Sequence, residues 1–432
     1  MSMSLMLLSG LIFALGVVPF IWPDKVFEYP YVVGMFLAVW FLPQAWAIEQ
    51  DGLAGTFDPT ITWNYVTMCL IFLVGGYATG RGLNIQRITA KQAEIASMYS
   101  EKRMAQASMV LIAVGAVAYI MMSRMAESTK YEAGWTGIII VYATLAQCMV
   151  FGAALTFLIY LRTKDRFALI LFCIATSVFA PVLLISVKRE FIFEFAIIIM
   201  GSLFLVRKIT PPRIVLLIGC VVGAFIVNNA GEIRGFVSTN DSSLVGALTS
   251  SELITSTEDS NRIKAPEVSG AVTDIAIATE IGQYYPFVTI TNAMISRYFP
   301  SFIFGREAKN ALFLQAASED PLRNRYFTNG ATRTGFSDTF LDFWYFGVFA
   351  FFVLGMFYGW TLNLALAGGL RGQYLYISML GTGLHAITHS FAEFAAALPF
   401  LLLVVWLPFR YARITAEETH RLMHTPQPQR GS

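Results

Sequence analysis

Apolar residues run along this chain in long blocks, and the charged residues collect in the short polar stretches between them. A block of about 20 apolar residues is long enough for a helix to cross the hydrocarbon core of a bilayer, and a helix satisfies its own backbone polar groups there. Eleven such blocks are predicted as membrane helices, at roughly 5–22, 30–49, 60–79, 106–123, 135–161, 167–186, 191–206, 214–230, 338–366, 373–391 and 394–410. The expected fold class is therefore an all-α polytopic membrane protein. Trp22, Trp46, Trp63, Trp135 and Trp406 fall near block ends, where indole rings commonly anchor a helix at the membrane interface.

The polar stretches set the expected orientation. "RGLNIQRITAKQAEIASMYSEKR" carries Arg81, Arg87, Lys91, Lys102 and Arg103, and "RTKDR" and "RKITPPR" are also basic. Basic short loops stay cytoplasmic. Alternation then puts 50–59, 124–134, the 187–190 turn and the long stretch 231–337 outside, and puts the tail with Arg410, Arg413 and Arg421 inside. The organisation expected is a bundle of eight spans over 1–230, a large external loop over 231–337, three further spans over 338–410 and a cytoplasmic tail over 411–432. Within the loop, 235–270 is polar. Residues 271–304, "AVTDIAIATEIGQYYPFVTITNAMISRYFPSFIF", are too apolar for an ordinary loop and read as short amphipathic helices that lie on the membrane or dip into the protein.

Composition agrees with the pattern. The chain is 56% hydrophobic and 13% charged, where a soluble protein carries about 25% charged residues. The net charge of +2 is uninformative by comparison. Cys69, Cys148, Cys173 and Cys220 all lie in apolar blocks without metal-like spacing, and read as buried free thiols. The first block lacks the basic flank and small-residue site of a cleavable signal. There is no GxxxxGK[ST] phosphate loop and no D-x-D, the usual metal–nucleotide-sugar grip, which argues against a nucleotide site; no cofactor and no nucleic-acid partner are expected.

Some charges interrupt the apolar pattern. "VLLISVKREFIFEFAIIIM" holds Lys188, Arg189, Glu190 and Glu194, and Glu194 lies one helical turn inside its block. Ionisable groups within membrane helices are costly and usually face the protein interior or a wet cavity. Arg234, Arg297, Arg306 and Arg333 are expected on the same side as Arg189. Together they suit a polyanionic ligand such as a phosphate, which a guanidinium binds bidentately. The plainer alternative is that they pair with acidic neighbours such as Glu307 or snorkel to headgroups. Asp338 and Asp342 are four apart on one helix face, and His385, His389 and Glu393 also repeat every four residues. The short "AGGLRGQ" turn should fold their two spans into a hairpin, bringing both sets to the outer mouth as acid–base candidates. Structural hydrogen bonding, or a zinc site at His385 and His389, are the other readings of that spacing.

The order of these features, a charged "KRE" turn entering an apolar span, a long external loop with "RYFPSFIFGR", then "GFSDTFLDFWYFGVFAFFVLGMFYG", resembles the Wzy-type oligosaccharide repeat-unit polymerases. The motif likeness covers about 182–235 and 295–360, and Val187 and Lys188 stand where that family commonly shows a Gly- or Ser-rich approach. The resemblance implies a glycosyltransferase of the bacterial inner membrane that moves a growing glycan from undecaprenyl diphosphate onto a lipid-linked repeat unit, in O-antigen, capsule or exopolysaccharide synthesis. It further implies partners among flippases and chain-length regulators. Arg189, Arg234, Arg297, Arg306 and Arg333 would then hold the diphosphate, and His389, His385, Glu194 or Asp338 would act as base. An O-antigen ligase and a secondary transporter are the alternatives; the transporter reading lacks the internal repeat such proteins usually carry.

Overall fold

The computed structural model describes residues 2–51, 58–83, 99–125, 138–185, 189–224, 266–281, 286–314 and 334–413, with 51, 179–185, 189–192, 266, 267, 269, 277 and 281 described by their backbone. Among these residues the chain is helical and no strand forms; Tyr99 and Arg413 make an isolated antiparallel bridge. The helices are α1 (Met3–Ile21), α2 (Tyr29–Asp51), α3 (Thr60–Gly82), α4 (Glu101–Ser123), α5 (Ile138–Thr163), α6 (Arg166–Ile185) and α7 (Arg189–Ser202). They continue with α8 (Arg213–Ala224), α9 (Pro266–Ile281), α10 (Val288–Tyr298), α11 (Ser301–Phe304), α12 (Arg306–Leu312), α13 (Gly335–Phe343), α14 (Val348–Leu366), α15 (Leu370–Thr388) and α16 (Phe391–Ala412).

Every predicted apolar block contains a helix. Seven segments among the described residues are long and apolar enough to cross a bilayer: α1, α2, α3, α4, α5, the α13–α14 stretch Gly335–Leu366, and α16. The protein is an all-α membrane protein. Its outer faces carry exposed Phe13, Val110, Val117, Phe349, Val353 and Leu407, the surface a bundle presents to lipid rather than to water.

With lipid as solvent, helix association relies on close backbone approach, which small residues allow. The α3–α14 pair is built this way. Gly76 and Gly80 on α3 face Gly355 and Gly359 on α14. A Cβ at Gly76 would lie 2.0 Å from the Phe352 carbonyl oxygen, one at Gly80 2.2 Å from that of Met356, one at Gly355 2.1 Å from that of Leu73, and one at Gly359 2.3 Å from that of Tyr77. The α-hydrogens of all four glycines therefore touch carbonyls of the opposite helix. Gly115 on α4 meets the backbone of Met149 on α5 in the same manner.

One end of the bundle holds the basic residues and is tied by partly buried polar clamps. Arg81 bonds to Asn363, whose amide donates to the carbonyls of Gly80 and Arg81, both at 3.1 Å. Arg162 Nη2 donates to Gln373 Oε1 at 2.8 Å, and Gln373 donates onward to the Leu205 carbonyl at 3.2 Å, within the single π-helical turn Leu203–Arg207. We call this the basic end and the opposite one the far end.

Two expectations need correction. Trp63 is fully buried rather than at an interface, because its indole N–H donates to Glu49 Oε2 at 3.2 Å inside the α2–α3 contact. Cys173 is exposed on the surface of α6 and Cys220 is half-buried on α8, while Cys69 and Cys148 are buried as expected. A membrane protein has apolar residues on its outside as well as its core, so an apolar block does not say which face a thiol takes. Of the stretch read as short helices, α9 dips into the protein: Val268, Ala271, Val272 and Ile275 are wholly buried, against α2, α3 and α13. Phe302, Ile303 and Phe304 of α11 are exposed.

Candidate functional site

The predicted hairpin of α14 and α15 forms, and it brings α13 against the α15–α16 turn at the far end. The block predicted as one span from 338 to 366 is interrupted, however. Trp344 adopts φ 54° and ψ −141°, ending α13, and a 3-10 turn Trp344–Gly347 leads into α14. The break lets α13 take its own direction. Gly335 allows α13 to lie on the Ala386 carbonyl, where a Cβ would come within 1.9 Å. Thr339 on α13 pairs with the Tyr65 hydroxyl at 2.9 Å.

Asp338 and Asp342 share one face of α13, and both are almost wholly buried. Asp342 caps α10 from a distance: Oδ1 accepts from Thr289 N at 2.7 Å and Oδ2 from Ile290 N at 3.1 Å. The local N-cap position is Phe287, with φ 63° and no side-chain acceptor, so the first amides of α10 take theirs from α13. Asp338 does the same for α16. Its Oδ2 accepts from Ala392 N at 3.3 Å and makes a short hydrogen bond from the Ser390 hydroxyl. Ser390 is itself the N-cap of α16, accepting from Glu393 N at 3.1 Å. A carboxylate beside a helix N-terminus is favoured by the helix dipole as well as by the N–H groups. The i, i+4 spacing of the two aspartates thus positions two helix starts.

Glu393, in the first turn of α16, forms an ion pair with Arg297 of α10, Oε2 to Nη2 at 3.2 Å. The Arg297 side chain is 11% exposed. Its Nε and Nη1 are buried with no hydrogen-bond partner among the described residues. The neighbouring Tyr298 hydroxyl donates to the Ala396 carbonyl at 2.9 Å. Arg297 thus pairs with Glu393, not with Glu307.

His385 and His389 stack with ring centroids 4.4 Å apart and an 11° angle between planes. His389 Nδ1 shares a 2.8 Å hydrogen bond with the Thr388 hydroxyl. Glu194 lies deeper, buried on α7, with its side chain pressed on Gly381 of α15: a Cβ there would be 2.7 Å from Glu194 Cγ. Gly381 and His385 are four apart, on the same face of α15.

The structure therefore gathers Asp338, His385, His389, Glu393 and Arg297 at the far end, with Glu194 about one helical turn below. Arg306 opens α12 on an exposed surface. Arg189 opens α7, but its side chain, together with Arg234 and Arg333, lies outside the described residues. Among the described residues no three His, Cys, Asp or Glu side chains are grouped to hold a metal ion. Ser390 was not singled out from the sequence, although "SFAE" is a capping-box pattern that signals a helix start. No family model, curated protein or solved structure matches the chain.

Proposed function

We propose that this protein is a glycan transferase of the bacterial inner membrane, acting at the non-cytoplasmic face on oligosaccharides linked to undecaprenyl diphosphate, and that it polymerises repeat units. In this reading the eleven apolar helices cross the membrane, the basic end is cytoplasmic and the far end faces outward. The observation that carries it is the meeting of a stacked imidazole pair, a buried carboxylate and a buried, incompletely paired guanidinium at that end. The reaction asks for these groups. The anomeric carbon of the growing chain leaves its diphosphate and bonds to a hydroxyl oxygen of the acceptor sugar. The hydroxyl proton passes to a base, for which the imidazole pair is suited. Negative charge grows on the departing diphosphate, which fixed guanidinium groups stabilise. Arg297 supplies one, and Arg189, Arg234, Arg306 and Arg333 are the remaining candidates.

Because Asp338 is engaged in capping α16, it serves in this reading as a positioning residue for the turn that carries His389. Deleting the gene and resolving surface polysaccharide on a gel tests the assignment. Loss of long chains with a single capped repeat remaining is expected. Loss of capping altogether indicates a ligase, and an unchanged ladder rejects glycan transfer. His385→Ala and His389→Ala should each shorten or abolish the ladder at unchanged protein level.

A further inference from the structure

Tyr374, Ser378, Gly381, His385 and His389 recur every three or four residues, so a polar stripe runs along one face of α15. It starts near the basic end and finishes at the stacked imidazoles. Tyr374 is wholly buried and Ser378 is 5% exposed. Their hydroxyls lie one turn apart, near each other but without a well-formed hydrogen bond, and neither has another partner among the described residues. This sets Tyr374 apart from the other buried tyrosines of the bundle. Tyr29 donates to the Gly383 carbonyl at 2.7 Å, and Tyr358 and Tyr376 make short bonds to the carbonyls of Met379 and Phe27.

The helices facing the stripe carry matching groups. On α5, Phe151 packs on Tyr374 with centroids 6.4 Å apart, and one turn further along is Gln147, whose Oε1 is buried without a hydrogen-bond partner among the described residues. On α7, Glu194 rests on Gly381, and two turns along is Ser202, fully buried, its hydroxyl likewise without one. Helices α5, α7 and α15 pack against one another in pairs. Polar groups in a bilayer-embedded core normally find partners, and where protein supplies none, ordered water does.

We propose that the seam between α5, α7 and α15 is a hydrated path: a file of water molecules entering at the His385–His389 end, passing Glu194, and ending at Ser378 and Tyr374. The Arg162–Gln373–Leu205 clamp closes the basic end, so the path is a blind one. Protons reach the imidazoles and Glu194 from one side of the membrane and do not cross it. This inference stands without the transferase assignment, because it rests on the seam alone.

Hydroxyl-radical footprinting of the full-length, unmodified protein tests it, since radicals formed from bound water oxidise the side chains beside it. Tyr374 should be oxidised at least about tenfold faster than Tyr358 and Tyr376, which are equally buried but bonded to carbonyls. Oxidation of Tyr374 no faster than theirs overturns the proposal. The entry point is read separately. In a variant whose four native cysteines are replaced by alanine, Ser378→Cys should react with a small charged methanethiosulfonate added at the far side, and Leu380→Cys, buried in the same helix, should not. Equal protection of the two sites means a dry seam, and reaction only from the basic side means the opening was assigned to the wrong end; either result overturns the path as drawn.

Discussion

Adding one methyl group at Gly76 should damage the bundle, while adding one at the adjacent Gly75 should not. A Cβ at Gly75 would have nothing within 4 Å, whereas at Gly76 it would sit 2.0 Å from the Phe352 carbonyl oxygen. Real Cβ–oxygen contacts essentially never fall below 3.0 Å, and the obstacle is backbone, which cannot rotate aside. Helices α3 and α14 must therefore part by about 1 Å or more, forfeiting packing and Cα–H···O contacts along the whole seam. Overpacking of this kind costs about 1–3 kcal/mol, and the rigid obstacle puts Gly76→Ala at the upper end. Gly75→Ala should be neutral or stabilising by up to about 1 kcal/mol, because alanine is the better helix former. Thermal unfolding of the detergent-solubilised protein, followed by loss of the monodisperse chromatographic peak, reads the difference. A midpoint several degrees lower for Gly76→Ala than for Gly75→Ala is expected. In the double variant Gly76→Ala/Gly355→Ala, the second substitution should cost less than it does alone, since the helices have already parted. Equal midpoints for the two single variants would refute the argument that close backbone approach holds this pair together.

Asp342→Ala should destabilise the α10 region by about 1–3 kcal/mol, as expected when two partly buried amides lose a charged acceptor; faster proteolytic cleavage within 286–314, partly restored in Asp342→Asn, would show it. For Asp338, the asparagine variant keeps a carbonyl oxygen for Ser390 and Ala392, so Asp338→Asn should retain activity that Asp338→Ala loses; a complete loss in Asp338→Asn at unchanged thermal midpoint would mean that the carboxylate itself is the base. Arg297→Ala leaves Glu393 without its partner and should lower the thermal midpoint, whereas Arg297→Lys should keep most stability but impair function if the planar guanidinium fork grips a diphosphate. Burial pushes the Lys309 ammonium down from its ordinary pKa. A lowered lysine pKa makes the charged form a cost to the folded state, so stability should rise as pH climbs from the folded-state value toward the ordinary one near 10.5. Lys309→Met should abolish that alkaline rise in the thermal midpoint.

The membrane class, the helical content and the position of each apolar helix were readable from the chain alone. Lipid imposes a single requirement on backbone and length that any sequence meeting it displays openly. The hairpin that brings residues near 338 and 390 together was also readable, because a short turn leaves two consecutive spans little choice but to pair. The roles within the site were not. Asp338 and Asp342 look like catalytic acids at i, i+4 spacing, yet their oxygens serve the amides of helices 54 and 53 residues away in sequence. Trp63, at the edge of an apolar block, turned inward to reach Glu49, and Cys173, in the middle of another, turned outward. In an apolar medium hydropathy no longer distinguishes the inside of a bundle from its outside. Which face of a helix meets protein is settled by backbone contacts such as Gly76 on Phe352 and Gly335 on Ala386, and by which polar groups find one another, and those pairings exist only once the helices are packed.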